Sequence, residues 1–180
     1  MNKMAIALSA ALALGAATSA NAQSGTITFT GEVSAVTCDV SFNGAAGTSP
    51  NITLPAVATG SLAAGASAGN TPVTVHVGGT DAQCTSGSVA LELNPNRNAQ
   101  LTNGRLNNVA PVADAASNVV VALRDASDRL IDLSTPWSSP RVNLSAGGAD
   151  IVFSGEYYAE GGNAGAGNVS SNVQYTLDYN

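Results

Sequence analysis

Charged and chemically reactive side chains are scarce in this sequence. Only 10% of its 180 residues are charged, and the single lysine, Lys3, lies at the extreme N-terminus. There is one histidine, His76, one tryptophan, Trp137, and one pair of cysteines, Cys38 and Cys84. Nucleophilic triads need a base beside the serine or cysteine. His76 is the sole candidate, and it alternates with Val73, Val75 and Val77 in a way that reads as an outward-facing strand position. A metal site needs more ligands than one histidine and two cysteines provide. No glycine pair is followed by the lysine of a phosphate-cradling loop. Glu156 with Glu160, and Asp125 with Asp128 and Asp132, are read as a solvated acidic face and not as acid/base pairs. These absences point away from an enzyme, a cofactor and a bound metal.

Long apolar runs are missing too, apart from one near the start. Met1-Asn2-Lys3 precedes an Ala/Leu-rich stretch from Met4 to about Ala17 and a small-residue end, Ala20-Asn21-Ala22. A charged start, an apolar centre and an Ala-x-Ala end make a secretory signal covering 1–22. The stretch falls short of the ~20 apolar residues a membrane span needs. Its removal leaves Gln23–Asn180, without lysine and one unit more negative than the formal −6 of the whole sequence. So acidic a surface disfavours nucleic acid and anionic membrane as partners.

Export decides what the cysteines do. In an oxidising compartment an isolated pair reads as a disulfide, Cys38 with Cys84. Closing a loop of roughly 47 residues stabilises by about 4 kcal/mol in the chain-entropy account. Its expected task is to pin two distant strands.

Beyond the signal, short alternating runs rich in Val, Ile, Thr and Tyr recur between clusters of Gly, Asn, Ser and Asp. This period of two predicts an all-β chain. Strands are predicted over Thr26–Ser34, Val36–Phe42, Ile52–Val57, Pro72–Val77, Ser88–Leu93, Val119–Arg124, Asp150–Tyr158 and Asn172–Tyr179, with shorter ones near Gln100–Leu106 and Leu130–Leu133. Asn43-Gly44, Gly78-Gly79, Asn94-Pro95-Asn96 and Asn103-Gly104 supply turns. The Ala/Gly/Ser-rich stretches Thr59–Asn70 and Gly161–Gly167 are expected as surface loops, and Trp137 as packing over a sheet edge. Seven or so short strands at this spacing fit an immunoglobulin-like β-sandwich.

Both ends of the exported chain depart from a closed sandwich. At the start, Ile27, Phe29, Gly31 and Val33 share one face of a strand, and a second alternating run through Val36, Cys38, Val40 and Phe42 follows without a turn. At the end, Val173, Tyr175, Leu177 and Tyr179 alternate with polar residues up to Asn180. The expectation is one strand too many at the beginning and one too few after Tyr179. An open edge beside an apolar groove is an aggregation liability, which a strand lent by a neighbouring copy would cover.

In order and spacing, the following residues resemble the subunits of chaperone-usher pili, and more closely the type 1 fimbrial major-subunit family. They are Gly25-Thr-Ile-Thr-Phe-Thr-Gly-Glu-Val33, Cys38, Ile52-Thr-Leu54, Val73-Thr-Val-His-Val77 before Cys84, Ile151-Val-Phe-Ser-Gly-Glu-Tyr-Tyr158, Ala164-Gly-Ala-Gly-Asn-Val169 and Val173-Gln-Tyr-Thr-Leu-Asp-Tyr-Asn180. The resemblance implies a pilin fold lacking its last strand, with a donor extension at 23–34 and a pilin domain at 35–180. It implies that Ile27, Phe29, Gly31 and Val33 form the donor strand. It also implies one disulfide, Cys38–Cys84, and a final strand, Val173, Tyr175, Leu177 and Tyr179, gripped by a periplasmic chaperone before an outer-membrane usher passes the subunit to other copies of itself or related pilins. The implied product is a surface fimbria supporting adhesion. The alternatives are a minor adaptor or a sugar-binding adhesive subunit of the same kind of fibre.

Overall fold

Alternating apolar residues make strands only where a neighbour supplies the other half of each ladder, so the pairing decides which predicted runs become sheet. The computed structural model describes residues 38–94 and 100–180. All of these fall within one compact unit, Ser34–Asn180. The signal, the predicted strand Thr26–Ser34 with Ile27, Phe29, Gly31 and Val33, and Val36 of the next predicted run lie outside the described residues.

Twelve strands are present in this part: β1 (Asp39–Phe42), β2 (Ala45–Ala46), β3 (Ser67–Gly78), β4 (Ser88–Leu93), β5 (Leu101–Thr102), β6 (Arg105–Asn107), β7 (Val119–Asp125), β8 (Leu130–Ile131), β9 (Trp137–Ser138), β10 (Val142–Asn143), β11 (Ala149–Ala159) and β12 (Tyr175–Tyr179). One sheet runs β2-β1-β3-β11-β7-β6-β5, with β8 also on β7. The other runs β10-β4-β12, with β9 also on β4. Every pairing between these strands is antiparallel. The described residues are all-β, two antiparallel sheets in an immunoglobulin-like sandwich.

The core lies between the sheets. On β3, Val73, Val75 and Val77 are buried while Pro72, Thr74 and His76 face outward, the period of two that a half-buried strand shows. They meet Val89, Leu91 and Leu93 of β4, with Val121 and Leu123 of β7 and Ile151 of β11 alongside. Full burial of side chains such as Val75, Leu91 and Leu93 contributes about 1.5 to 3 kcal/mol each.

Asn43 shows how local sequence and sheet edge cooperate. Asn43 and Gly44 both take positive φ, 49° and 82°, the mirror-image turn that a two-residue hairpin favours, and they join β1 to β2. The Asn43 side chain then continues the ladder that β1 has left. Its Oδ1 accepts from the Thr74 N–H at 2.8 Å and its Nδ2 donates to the Pro72 carbonyl at 3.3 Å. Pro72 has no N–H to offer, and it sits where β3 has already outrun β1. Asn103-Gly104 makes the same turn between β5 and β6.

Four expectations are corrected. The run Ile52–Val57 is not a strand: among the described residues, Ser49–Val57 makes no hydrogen bond. The β1 edge is already taken by β2, so Ile52 and Leu54 pack on the core without a ladder. Next, β3 begins at Ser67, inside the stretch expected as a loop, and pairs with β11 past a bulge between Gly155 and Tyr157. Gly69 supplies that bulge with φ +74°, and a Cβ there would stand 3.0 Å from the Tyr157 ring. The rest of the Thr59–Asn70 stretch is surface loop tied to the second Ala/Gly-rich segment, with the Ala164 N–H donating to the Leu62 carbonyl at 3.0 Å.

Third, Glu156 is not part of a solvated face. It is only 5% exposed and its Oε1 lies 2.7 Å from Arg124 Nε. Burying a carboxylate requires a paired cation, which β7 places directly across from β11. Finally, the disulfide does pair Cys38 with Cys84, Cα atoms 5.5 Å apart. It ties the entry of β1 to the short helical turn Ala82–Cys84 between β3 and β4, and so does not join two strands.

Candidate functional site

The two sheets do not close along their full length. Between them lies a groove of ≈ 700 Å³. Its floor is Val121 and Leu123 of β7 with Phe153, Gly155 and Tyr157 of β11, its far wall Leu91 and Leu93 of β4, and its margins Ile52 and Leu54 on one side and Val169 and Val173 on the other. Each of these positions follows from alternation: Phe153, Gly155 and Tyr157 are two residues apart on one strand and share its inner face.

One margin leads to β12, whose hydrogen-bond register gives the groove its chemistry. Ser88 N donates to the Asn180 carbonyl at 2.8 Å and Asn180 N returns the bond at 2.9 Å, while Asn94 N donates to the Gln174 carbonyl at 3.2 Å. In an antiparallel ladder such pairs alternate with pairs whose main-chain groups point away. The peptide groups of Gln174, Thr176 and Asp178 therefore face β4, and those of Tyr175 and Leu177 face the opposite edge. No described strand pairs with Tyr175 and Leu177 on that edge. The opposite edge of β4 is filled by β9, β10 and Ser139, whose N–H donates to the Leu91 carbonyl and whose Oγ accepts from the Leu91 N–H.

The four predicted residues of the last strand separate into two pairs. Val173 and Tyr175 line the groove. Leu177 and Tyr179 are half-buried against the core. The regular ladder starts at Tyr175, so Asn172–Gln174 approach it as an irregular segment. The chain just before that segment, Asn168–Ser170, is held by a residue the sequence did not single out. Asn108 Nδ2 donates to the carbonyls of Ala116 and Asn168, and its Oδ1 accepts from the N–H groups of Ala110 and Ser170. An asparagine amide suits this because it carries donors and an acceptor together.

One end of the groove is closed. The Tyr175 and Phe42 rings meet edge-on with centroids 5.2 Å apart, and the Tyr175 hydroxyl donates to the Thr48 carbonyl at 2.9 Å. Burial raises the Tyr175 phenol above its ordinary pKa, with Tyr179 adding to the effect, and burial alone raises Tyr157. Both hydroxyls thus stay neutral at physiological pH, and the groove carries no charge of its own.

Charge gathers on the outer face of the larger sheet. Asn70 Nδ2 reaches Glu156 Oε2 at 3.4 Å beside the Arg124 pair. Arg105 pairs with Glu160 at 3.2 Å, and its guanidinium lies 4.0 Å from the centre of the Tyr158 ring. The Arg124 guanidinium is held above its ordinary pKa by its hydrogen bond to Glu156, burial opposing this. These pairs join β7 to β11 and β6 to the end of β11. His76 Nδ1 lies 2.7 Å from Asp150 on the exposed side of β3 and β11. Trp137 is half-buried and packs against the core beside Leu93.

Known proteins share both the sequence and this architecture. Residues 27–180 match the family described as Fimbrial protein. The major fimbrial subunit SMF-1 of Stenotrophomonas maltophilia is 36% identical over 169 residues, covering 89% of this chain and 95% of that protein. The F17 fimbrial protein of Escherichia coli is 33% identical over 177 residues, covering 93% and 94%. Among solved structures, an antigen and type I fimbria protein of Burkholderia pseudomallei superimposes with a TM-score of 0.53 at 19% identity, over 74% of this chain and 84% of that one. The P pilus rod subunit PapA does so with 0.50 at 14%, over 87% and 100%. At those identities the two structures speak for the fold alone, whereas the family match covers nearly the whole chain, and the chain belongs to the fimbrial protein family.

Proposed function

We propose that this chain, a structural subunit of a surface fimbria and not an enzyme, joins its neighbours by donor-strand exchange. The carrying observation is the β12 edge: main-chain groups of Tyr175 and Leu177 face away from β4 at the margin of an uncharged groove with an apolar floor. A strand laid there gains main-chain hydrogen bonds from β12 and pockets for alternate side chains, the mode of strand addition. The N-terminal segment 23–34 has the matching pattern, with Ile27, Phe29, Gly31 and Val33 on one face. Burying its three apolar side chains at about 1.5 to 3 kcal/mol each gives roughly 5 to 9 kcal/mol before ordering costs.

On this reading 1–22 is the signal, 23–34 is lent to the next copy, and 35–180 receives the strand of another. A periplasmic chaperone covers the groove first, gripping Val173, Tyr175, Leu177 and Tyr179, and an outer-membrane usher presides over its replacement. Exchange of a looser complement for a better one needs no nucleotide. Deleting Gln23–Val33 tests the reading. The truncated subunit should still accept a neighbour's strand and cap a growing fibre without extending it. Fibres built wholly of the truncated subunit would overturn donor-strand exchange.

A further inference from the structure

Beside the groove stands a loop that the subunit holds rigidly and leaves bare. Among the described residues four large apolar side chains are exposed, and two of them share this loop, Val109 at 42% and Val112 at 96%. The tip reads Val109-Ala-Pro-Val-Ala113 and carries no charge before Asp114. Exposed loop tips are ordinarily the mobile parts of a fold. This one is braced. Asn108 Oδ1 accepts from the Ala110 N–H at 3.0 Å, the Val109 N–H donates to the Ser170 carbonyl at 2.8 Å, and the Asp114 N–H donates to the Pro111 carbonyl at 2.9 Å. On its far side the Ala116 N–H donates to the Asn168 carbonyl at 2.9 Å, and the Asn168 N–H donates to the Asp114 carbonyl at 2.6 Å. Gly167 permits so close an approach, since a Cβ there would stand 2.4 Å from the Ala116 nitrogen.

The brace and the groove share residues. Ser170 and Ser171 line the groove. Ser170 holds Val109 through its carbonyl and Asn108 through its N–H, and Ser171 Oγ donates to the Asn107 carbonyl at 2.7 Å. The loop therefore stands at the end of the groove away from the Phe42 and Tyr175 rings that close the other end. We infer that the Val109–Ala113 loop is a contact surface for the body of a second copy, the one whose strand fills the groove; the inference rests on the donor-strand reading above. A strand that cannot leave through the closed end leaves beside the loop. Four peptide steps separate Ser34 from Cys38, at most about 14 Å of chain, so the body of the lending copy begins close to where its strand leaves. An uncharged tip suits this partner, because two subunits of the same negative charge repel through their carboxylates while apolar contact between them is favourable. Bracing lowers the ordering cost of docking.

Hydroxyl-radical footprinting with mass spectrometry, on the exported chain Gln23–Asn180 before and after assembly into fibres, reads the loop directly. Val112 should be modified roughly fivefold more slowly in the fibre. Equal modification in both states would overturn the contact. Val112→Asp in the same chain should leave the thermal midpoint of the unassembled subunit unchanged, because the side chain is 96% exposed there. It should also leave the binding of a labelled Gln23–Ser34 peptide unchanged in fluorescence anisotropy. Its fibres should nonetheless shed subunits in denaturant roughly tenfold faster. Shedding at the unaltered rate, or a lowered midpoint, would refute a surface reserved for a neighbouring copy. Failure of the peptide to bind the unaltered chain would instead sink donor-strand exchange, and the footprint at Val112 would still decide whether copies meet at this loop.

Discussion

The Tyr175 hydroxyl donates to the Thr48 carbonyl at 2.9 Å, which anchors the start of a segment, Ser49–Val57, that makes no hydrogen bond of its own among the described residues. One phenol thus links the last strand to the margin of the groove. Tyr175→Phe keeps the ring against Phe42 and removes only this bond. It should cost about 1 kcal/mol in urea unfolding and speed amide exchange near Thr48. Unchanged exchange there would show that apolar packing of Ile52 and Leu54 holds the segment unaided.

Asn108 tests whether the approach to β12 depends on one amide. Asn108→Ala strips partners from two carbonyls and two N–H groups and should cost about 2 to 3 kcal/mol. Asn108→Asp is nearly isosteric but turns the Nδ2 donor into an oxygen facing the Ala116 and Asn168 carbonyls. It should be at least as damaging as alanine near neutral pH. An Asp variant as stable as the unaltered protein in thermal unfolding would contradict the donor assignment.

Arg124 and Glu156 form a pair whose two halves are not equivalent, the carboxylate buried and the guanidinium partly exposed. Arg124→Ala leaves the carboxylate of Glu156 buried and uncompensated, and should cost about 3 kcal/mol. Replacing both by leucine should recover most of that loss, because desolvating two charges is itself expensive. Equal damage in the single and double variants, measured by denaturant unfolding, would mean that packing and not charge is the source.

The raised phenols predict an alkaline limit. A tyrosine whose folded pKa lies above its unfolded value of about 10 stabilises the fold fully below that pH. Tyr157 and Tyr175 are both so raised by burial. Stability should therefore fall as pH rises from about 10 through the folded values, since only the unfolded chain has by then released its protons. Tyr157→Phe should flatten part of this decline. An unaltered slope in that variant, from thermal midpoints across the alkaline range, would exclude Tyr157 as a contributor.

Several elements were legible before any coordinates because their causes are local. The valines of Val73–Val77 alternate with polar residues, and alternation is what a half-buried strand is. Asn43-Gly44 and Asn103-Gly104 are turns because those residue types tolerate positive φ. Cys38 and Cys84 were a disulfide once export was inferred, since no third cysteine competes. Ile52–Val57 misled because it carries the same alternation without a partner strand. Glu156 misled because its counter-charge, Arg124, is distant in sequence and adjacent only across β7 and β11. Asn108 gave no signal at all: its four partners are carbonyls and N–H groups of the backbone, whose residue types leave no trace of the bonds.

The sequence by itself determined the strand periods, the Asn-Gly turns, the single disulfide, the acidic and nearly lysine-free character and the alternating faces of both termini, because each depends on residue type at short range. Tertiary structure alone decided that β12 turns the main-chain groups of Tyr175 and Leu177 away from β4, and that Thr48–Leu54 borders the groove without a ladder. Pairing register and packing are set by which segments meet across long separations, and the antiparallel ladder assigns each peptide group to one edge or the other only when its partner is in place.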